Sequence, residues 1–191
     1  MGPNKPRIEL GHVIEQLTEQ NEKRRQEFEN PQHSLKFLTE RLGVTSTTVR
    51  NWMTRRVFPT LDAEKKRGER GWRLFSTRDV IAIAAAHELS RIGVPPAAFP
   101  MVVRLVLESA DNFIHHNQVY MRAGTIPKSE FLVIYPDGDN WSAERFFDFE
   151  PNDFNNERPG EAYAILEVSR FLQRTLEVLG FTVFAGTARR L

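Results

Sequence analysis

Cysteine is absent from all 191 residues of the sequence. Its absence excludes disulfide bonds, zinc sites built on thiolates and cysteine nucleophiles. No apolar run approaches the ~18 residues that a membrane-spanning helix needs, and the first residues lack the apolar core of a secretory signal. We therefore expect a cytoplasmic protein without a membrane segment.

Net charge is also nearly absent, at +1, but the charges are unevenly distributed along the chain. Residues 36–78 hold eleven Lys and Arg against four Asp and Glu, a balance of +7. Residues 79–191 hold ten against fifteen, a balance of −5. A basic block in an otherwise acidic chain indicates a surface that faces a polyanion. The alternative is a solvated surface whose charges are uneven by chance.

The basic block begins with two short helices that follow an N-terminal extension. Residues 1–33 are predicted to contain one helix, ended by Asn30-Pro31. Ser34 is a candidate cap for a helix over 35–42, Gly43 supplies a turn, and Thr45 caps a helix over 46–56. This order predicts a helix-turn-helix. An αα-hairpin with a solvated outer face is the alternative.

The second of these helices has the residue types that contact nucleic acid. Serine, threonine, asparagine and arginine form hydrogen bonds with base edges or phosphates. The candidate base contacts are Thr47, Thr48, Arg50 and Asn51. The candidate phosphate and wing contacts are Ser46, Arg55, Arg56, Lys65, Lys66, Arg67, Arg70 and Arg73. We expect Trp52 and Trp72 to lie in the core instead.

A wing-like segment and a capped helix follow. Residues 65–71 form a basic, glycine-marked turn, and residues 72–75 alternate as a strand does. Ser76 and Asp79 have the spacing of a capping box, which predicts a helix over 77–92 that Gly93 ends.

In this order the elements resemble the MerR family of bacterial regulators over residues 34–99. The first half of the resemblance is Leu35-x-x-Leu38-Thr39-x-x-Leu42-Gly43-Val44-Thr45-x-x-Thr48-Val49-Arg50-x-Trp52. The second half is Gly71-Trp72-Arg73-Leu74-Phe75-Ser76-Thr77-x-Asp79-Val80, followed by Leu89-x-x-Ile92-Gly93-Val94-Pro95. The resemblance implies a winged helix-turn-helix whose recognition helix enters the DNA major groove, with Arg50 and Arg73 as DNA contacts. It also implies dimerisation through the helix that comes next.

That next helix, predicted within residues 100–124, has a heptad-like apolar pattern. Its spacings of three and four residues predict a dimer seam over about two and a half heptads. An ordinary amphipathic helix that packs on the chain's own core is the equally supported alternative. The seam residues are Val103, Val106, Ala110, Phe113, Asn117 and Tyr120.

Residues 128–191 are predicted to form a small α+β domain. Two strands joined by a turn are expected over 131–135 and 141–149. After a polar loop, two interpretations stay open: a strand over 162–168 with a helix over 169–179, or a single helix over 161–179.

The predicted fold class is mainly α, with a winged helix-turn-helix, a long helix and a small α+β C-terminal domain. The expected function is a transcription regulator that binds an inverted repeat in double-stranded DNA as a homodimer, with RNA polymerase or another protein as a candidate partner of the C-terminal domain. We find no catalytic motif, and we expect no metal or cofactor. Two alternatives are an architectural, excisionase-like DNA-binding protein and a ligand sensor. The sensor's pocket would use Phe131, Tyr135, Trp141, Phe146 and Phe147.

Overall fold

The architecture is taken from a computed structural model of the chain. For residues 113–123 the description covers the backbone alone. The described residues are 19, 22–23, 26–55, 57–58, 73–123, 129–147 and 164–180.

Helices make up most of the described residues, and two small sheets accompany them. The helices are α1 (Leu35–Leu42), α2 (Ser46–Thr54), α3 (Thr77–Arg91), α4 (Phe99–Ala123) and α5 (Val168–Val178). The strands are β1 (His33–Ser34), β2 (Leu74–Phe75), β3 (Glu130–Asp137), β4 (Asn140–Phe147) and β5 (Ala164–Glu167). The fold is therefore mixed α+β. None of the helices in this part of the chain combines the length and apolarity that crossing a membrane requires.

Local capping determines where α1 and α2 begin. The Ser34 hydroxyl accepts a hydrogen bond from the Phe37 amide at 3.1 Å, and the Thr45 hydroxyl accepts one from the Thr48 amide at 3.1 Å. Between them, Gly43 has φ 69°, a left-handed conformation that favours glycine. The predicted bounds of α1 are confirmed, whereas α2 ends two residues before Arg56.

The capping box that begins α3 is also confirmed. The Ser76 amide donates to the Asp79 carboxylate at 2.9 Å, and the Asp79 amide donates to the Ser76 hydroxyl at 3.1 Å. Most of α3 is buried on all sides, as Ile81, Ile83 and Ala85 are fully buried. It is therefore the central helix of the core.

Strand β2, which lies in the segment predicted as a wing, pairs with a segment that the sequence did not single out. Strand β2 runs antiparallel to β1, with His33 opposite Phe75 and Ser34 opposite Leu74. Because β1 immediately precedes α1, this pair joins the two ends of the segment that contains α1 and α2. Residues 59–72, which include the expected wing tip, lie outside the described residues.

His33 is the titratable side chain of this strand pair. Its ring stacks on Phe37 with 4.8 Å between centroids, and its Nε2 lies 3.4 Å from the Thr77 hydroxyl oxygen. Burial lowers the pKa of His33 below its ordinary value. The unfolded chain therefore binds a proton at a higher pH than the folded chain does.

We expect stability to fall as pH drops from about 6.5, the ordinary histidine pKa, towards the lower pKa of folded His33. Denaturant unfolding at several pH values between 8 and 5, roughly spanning that pKa, measures this loss. His33→Gln should flatten the curve in this window, and His87→Gln is the matched control. A pH dependence that is the same in His33→Gln and in the unsubstituted chain would contradict the assignment.

The first half of the expected dimer seam is used inside the chain. Val103, Val106 and Ala110 are at most 1% exposed, and they belong to the same apolar cluster as α3. These three side chains present no surface to a second copy, which corrects their assignment as dimer contacts. At these three positions the heptad-like spacing reflects packing on the chain's own core. The side chains of Phe113, Asn117 and Tyr120 lie outside the described residues.

The C-terminal segment forms an antiparallel sheet with the strand order β4-β3-β5. Of the two interpretations for residues 161–179, the strand followed by a helix is correct. The inner side chains of β3 and β5, among them Leu132, Ile134 and Leu166, join the apolar cluster of α3 and α4. The sheet therefore shares one core with the N-terminal helices.

Two ion-pair groups attach α4 to its neighbours. Arg78 donates to both carboxylate oxygens of Asp111, at 2.6 and 2.8 Å, and so ties α3 to α4. Glu130 of β3 accepts a hydrogen bond from Ser109 at 2.5 Å and lies 2.7 Å from the Arg145 guanidinium. These contacts fix the sheet and α3 against the long helix.

Candidate nucleic-acid interface

Helix α2 has one buried face and one exposed face. Val49 is fully buried and Trp52 is 8% exposed. On the opposite side the spacings of three, one, three and one residues place five exposed side chains on one helical face. These are Thr47, Arg50, Asn51, Thr54 and Arg55, here called the α2 outer face.

An aromatic cluster holds α2 in place. The Trp52 indole meets Phe58 edge-on with 6.0 Å between ring centroids, and it meets Phe99 at 6.1 Å in the same manner. Edge-to-face pairs of this kind stabilise the folded state beyond the contribution of the apolar area that they bury. Because Phe99 begins α4, the cluster connects α2 with the start of the long helix, and the expected core position of Trp52 is confirmed.

The α2 outer face combines positive charge with groups that form two hydrogen bonds to one base. No aspartate or glutamate occurs from residue 41 to residue 61. Arg50 and Asn51 are adjacent and both exposed. An arginine can bond the O6 and N7 atoms of guanine, and an asparagine can bond the N6 and N7 atoms of adenine.

No known protein-family model and no curated protein matches the sequence.

Two of the predicted contacts, Thr48 and Ser46, lie outside the exposed face, and Thr48 has a structural role as well. Thr48 is half-buried, and its hydroxyl oxygen lies 2.8 Å from that of Thr45, inside the N-terminal cap of α2. Ser46 is likewise half-buried. Neither belongs to the α2 outer face. Both positions lie in the first turn of α2, directly after its N-cap Thr45.

Thr54 is a member of this face that sequence reasoning missed. It is exposed, and its hydroxyl donates to the Arg50 carbonyl oxygen at 3.0 Å. The helical spacing indicates its exposure, because Thr54 follows Arg50 by four residues and Thr47 by seven.

Arg73 is half-buried, and its side chain packs on an aromatic ring. Its guanidinium lies over the Phe75 ring at 5.2 Å, and burial lowers the pKa of Arg73 while the nearby charge of Asp79 raises it. The remaining predicted phosphate contacts, one at the expected end of the recognition helix and four in the expected wing, lie outside the described residues. They are Arg56, Lys65, Lys66, Arg67 and Arg70.

The aromatic residues considered for a ligand pocket lie on both faces of the C-terminal sheet. Phe131, Tyr135 and Phe146 pack on its outer face with Val133, and Tyr135 donates a hydrogen bond to Glu144. Trp141 packs against the main core on the inner face. They therefore do not surround one cavity. In the described part of the chain, no group of three or more histidine, aspartate and glutamate side chains is placed to hold a metal ion.

Proposed function

We propose that this protein is a transcription regulator that binds duplex DNA sequence-specifically through the α2 outer face. The observation that supports this most is the division of α2 into an anchored apolar side and an exposed, acid-free side. Val49 and Trp52 fix the helix in the core, while Arg50 and Asn51 remain exposed. A rigid helix with such side chains is suited to direct contact with base edges.

The dimensions of α2 suit the major groove. Its nine residues correspond to a helix about 13 Å long. The major groove of B-form DNA is about 12 Å wide and admits one helix. In this arrangement Arg50 and Asn51 contact base edges, and Arg55, one turn later, contacts a phosphate.

The elements around α2 fit a winged helix-turn-helix. Three residues, 43–45, separate α1 from α2, a turn length typical of helix-turn-helix motifs. The pair of β1 and β2 is a suitable base for a wing built from the basic residues 65–73. These features agree with the resemblance to the MerR family. The wing would contact the DNA backbone and contribute salt-dependent affinity.

We propose that two copies bind an inverted repeat, as expected for dimeric helix-turn-helix proteins. Because Val103, Val106 and Ala110 are buried within one chain, a dimer through α4 would use residues after Ala110. Phe113, Asn117 and Tyr120 remain its candidate contacts.

Selection of bound sequences from a pool of randomised duplexes tests the proposal. The full chain should enrich one motif, repeated in opposite orientation with half-sites about 10 base pairs apart or a multiple of that spacing. Binding without any enriched motif would contradict sequence-specific regulation. Binding that bends DNA strongly at several adjacent sites would instead favour an architectural role.

A further inference from the structure

A second surface of the molecule, separate from the α2 outer face, forms an open groove. Its walls are the second half of α3 and one face of α5, the end of α1 and strand β5 also line it, and its volume is about 650 Å³. His87 and Arg91 lie on the α3 side, and Arg174 and Val178 lie on the α5 side. We call it the α3–α5 groove. None of the α2 outer-face residues lines it.

Large apolar side chains are exposed in the α3–α5 groove. Three large apolar side chains are exposed among the described residues. Two of them, Ile92 at 38% and Val178 at 39%, line this groove. The third, Phe147, lies at the end of β4. Ile92 and Val178 therefore give this groove two partly exposed apolar side chains that are available to a partner.

Arginine residues line the same groove as these apolar side chains. Four of them line the groove: Arg41, Arg91, Arg170 and Arg174. Arg91 pairs with Glu88 at 2.7 Å, and Arg170 pairs with Glu167 at 3.9 Å. Arg41 and Arg174 form no ion pair with any other described residue. The groove therefore carries an excess of positive charge beside an apolar floor.

The openness of the groove favours a polypeptide over a small molecule. The side chains of Arg91 and Arg170 are 65% and 62% exposed, so water reaches the rim. Small-molecule sites usually enclose most of the ligand surface. On α5 the lining residues run from Arg170 to Val178, about 12 Å of helix, enough for two turns of a second helix beside it.

We propose that the α3–α5 groove binds an acidic amphipathic helix of a partner protein. The apolar side of that helix covers Ile92 and Val178, and its carboxylates pair with Arg41 and Arg174. Helix-in-groove binding of this type uses apolar anchors one turn apart. The proposal does not rest on DNA binding, because it uses a different surface and different residues.

A designed peptide tests the proposal with the full chain. The probe is a fluorescein-labelled peptide about 18 residues long, with leucine at helical i, i+3, i+4 and i+7 spacing and glutamate or alanine elsewhere. Its control has lysine in place of every glutamate. We expect saturable micromolar binding of the glutamate peptide by fluorescence anisotropy, weakened by added salt, and no binding of the lysine peptide.

Matched charge reversals locate the site. Arg41→Glu with Arg174→Glu should weaken binding of the glutamate peptide by about tenfold or more. Lys36→Glu with Arg104→Glu changes the net charge equally at exposed residues outside the groove, and it should change the affinity less than about twofold. Circular dichroism of both double variants verifies that each is folded.

Three results would overturn the proposal. They are no saturable binding of the glutamate peptide at about 100 μM, equal weakening by both double variants, and unchanged peptide binding in the groove variant. If the groove variant loses affinity for duplex DNA but not for the peptide, the groove belongs to a DNA-binding surface instead. Loss of base discrimination in Arg50→Ala, with normal peptide binding, separates the two proposals.

Discussion

Replacing Trp52 with alanine is expected to lower the free energy of unfolding by about 3–5 kcal/mol. The indole is 8% exposed and contacts Phe58 and Phe99 edge-on. Its removal leaves a cavity where α2 meets the start of α4, and both edge-to-face contacts are lost. Because neighbouring side chains relax only partly, the free energy of the cavity adds to the lost transfer free energy.

Denaturant unfolding followed by circular dichroism measures this effect. The transition midpoint should fall while the denaturant dependence of the free energy stays constant. Trp52→Phe is the matched control, since it keeps an aromatic ring in the cluster and should be less destabilising. A loss below about 1 kcal/mol for Trp52→Ala, the size of an ordinary substitution, would mean that Trp52 does not anchor α2.

Replacing Arg50 with alanine is expected to abolish discrimination at one base pair of the selected DNA site. A bidentate arginine contact contributes about 1–3 kcal/mol of discrimination against the wrong base. Arg50 is exposed on the α2 outer face, so its substitution should leave stability nearly unchanged. The variant should bind the selected duplex and a duplex changed at that base pair with similar affinity.

Two further substitutions separate base contact from charge. Arg50→Lys keeps the charge but removes the planar pair of donors, so it should also lose discrimination while it retains more of the affinity. Arg104→Ala removes an arginine that is 66% exposed on α4 and should leave the binding pattern intact. Equal weakening of all duplexes by Arg50→Ala would identify Arg50 as a phosphate contact only.

The elements predicted well from the sequence are those whose signals are local. Ser34, Thr45 and Ser76 each cap a helix through an amide three residues later, so their roles follow from spacing alone. The exposed position of Arg50 and Asn51 also follows from helical periodicity around the buried Val49 and Trp52.

What the sequence could not predict depends on contacts between distant residues. Strand β1 is two residues long, and its pairing with β2 spans about 40 positions, so neither residue has a local strand signal. The heptad-like pattern of α4 cannot distinguish a facing helix of another copy from the chain's own core. Residues 164–167 form a strand because they pair with β3, although their short apolar run fits a helix equally well.

The α3–α5 groove was also beyond sequence analysis. Its walls come from helices about 80 positions apart in the chain, and the exposure of Ile92 and Val178 appears only in the folded molecule. Arginine at helical spacing is ordinary on a solvated helix face. The combination of exposed apolar side chains with arginines that form no ion pair among the described residues is what distinguishes this surface.

Genome-wide capture of bound DNA at near-physiological salt, with the unsubstituted chain and with Arg50→Ala, tests the central claim most directly. The expected result is a small set of sites that share one inverted repeat, and this set should be lost or broadened in the variant. Broad binding without a shared motif, or the same sites with the same occupancy in Arg50→Ala, would contradict sequence recognition by the α2 outer face.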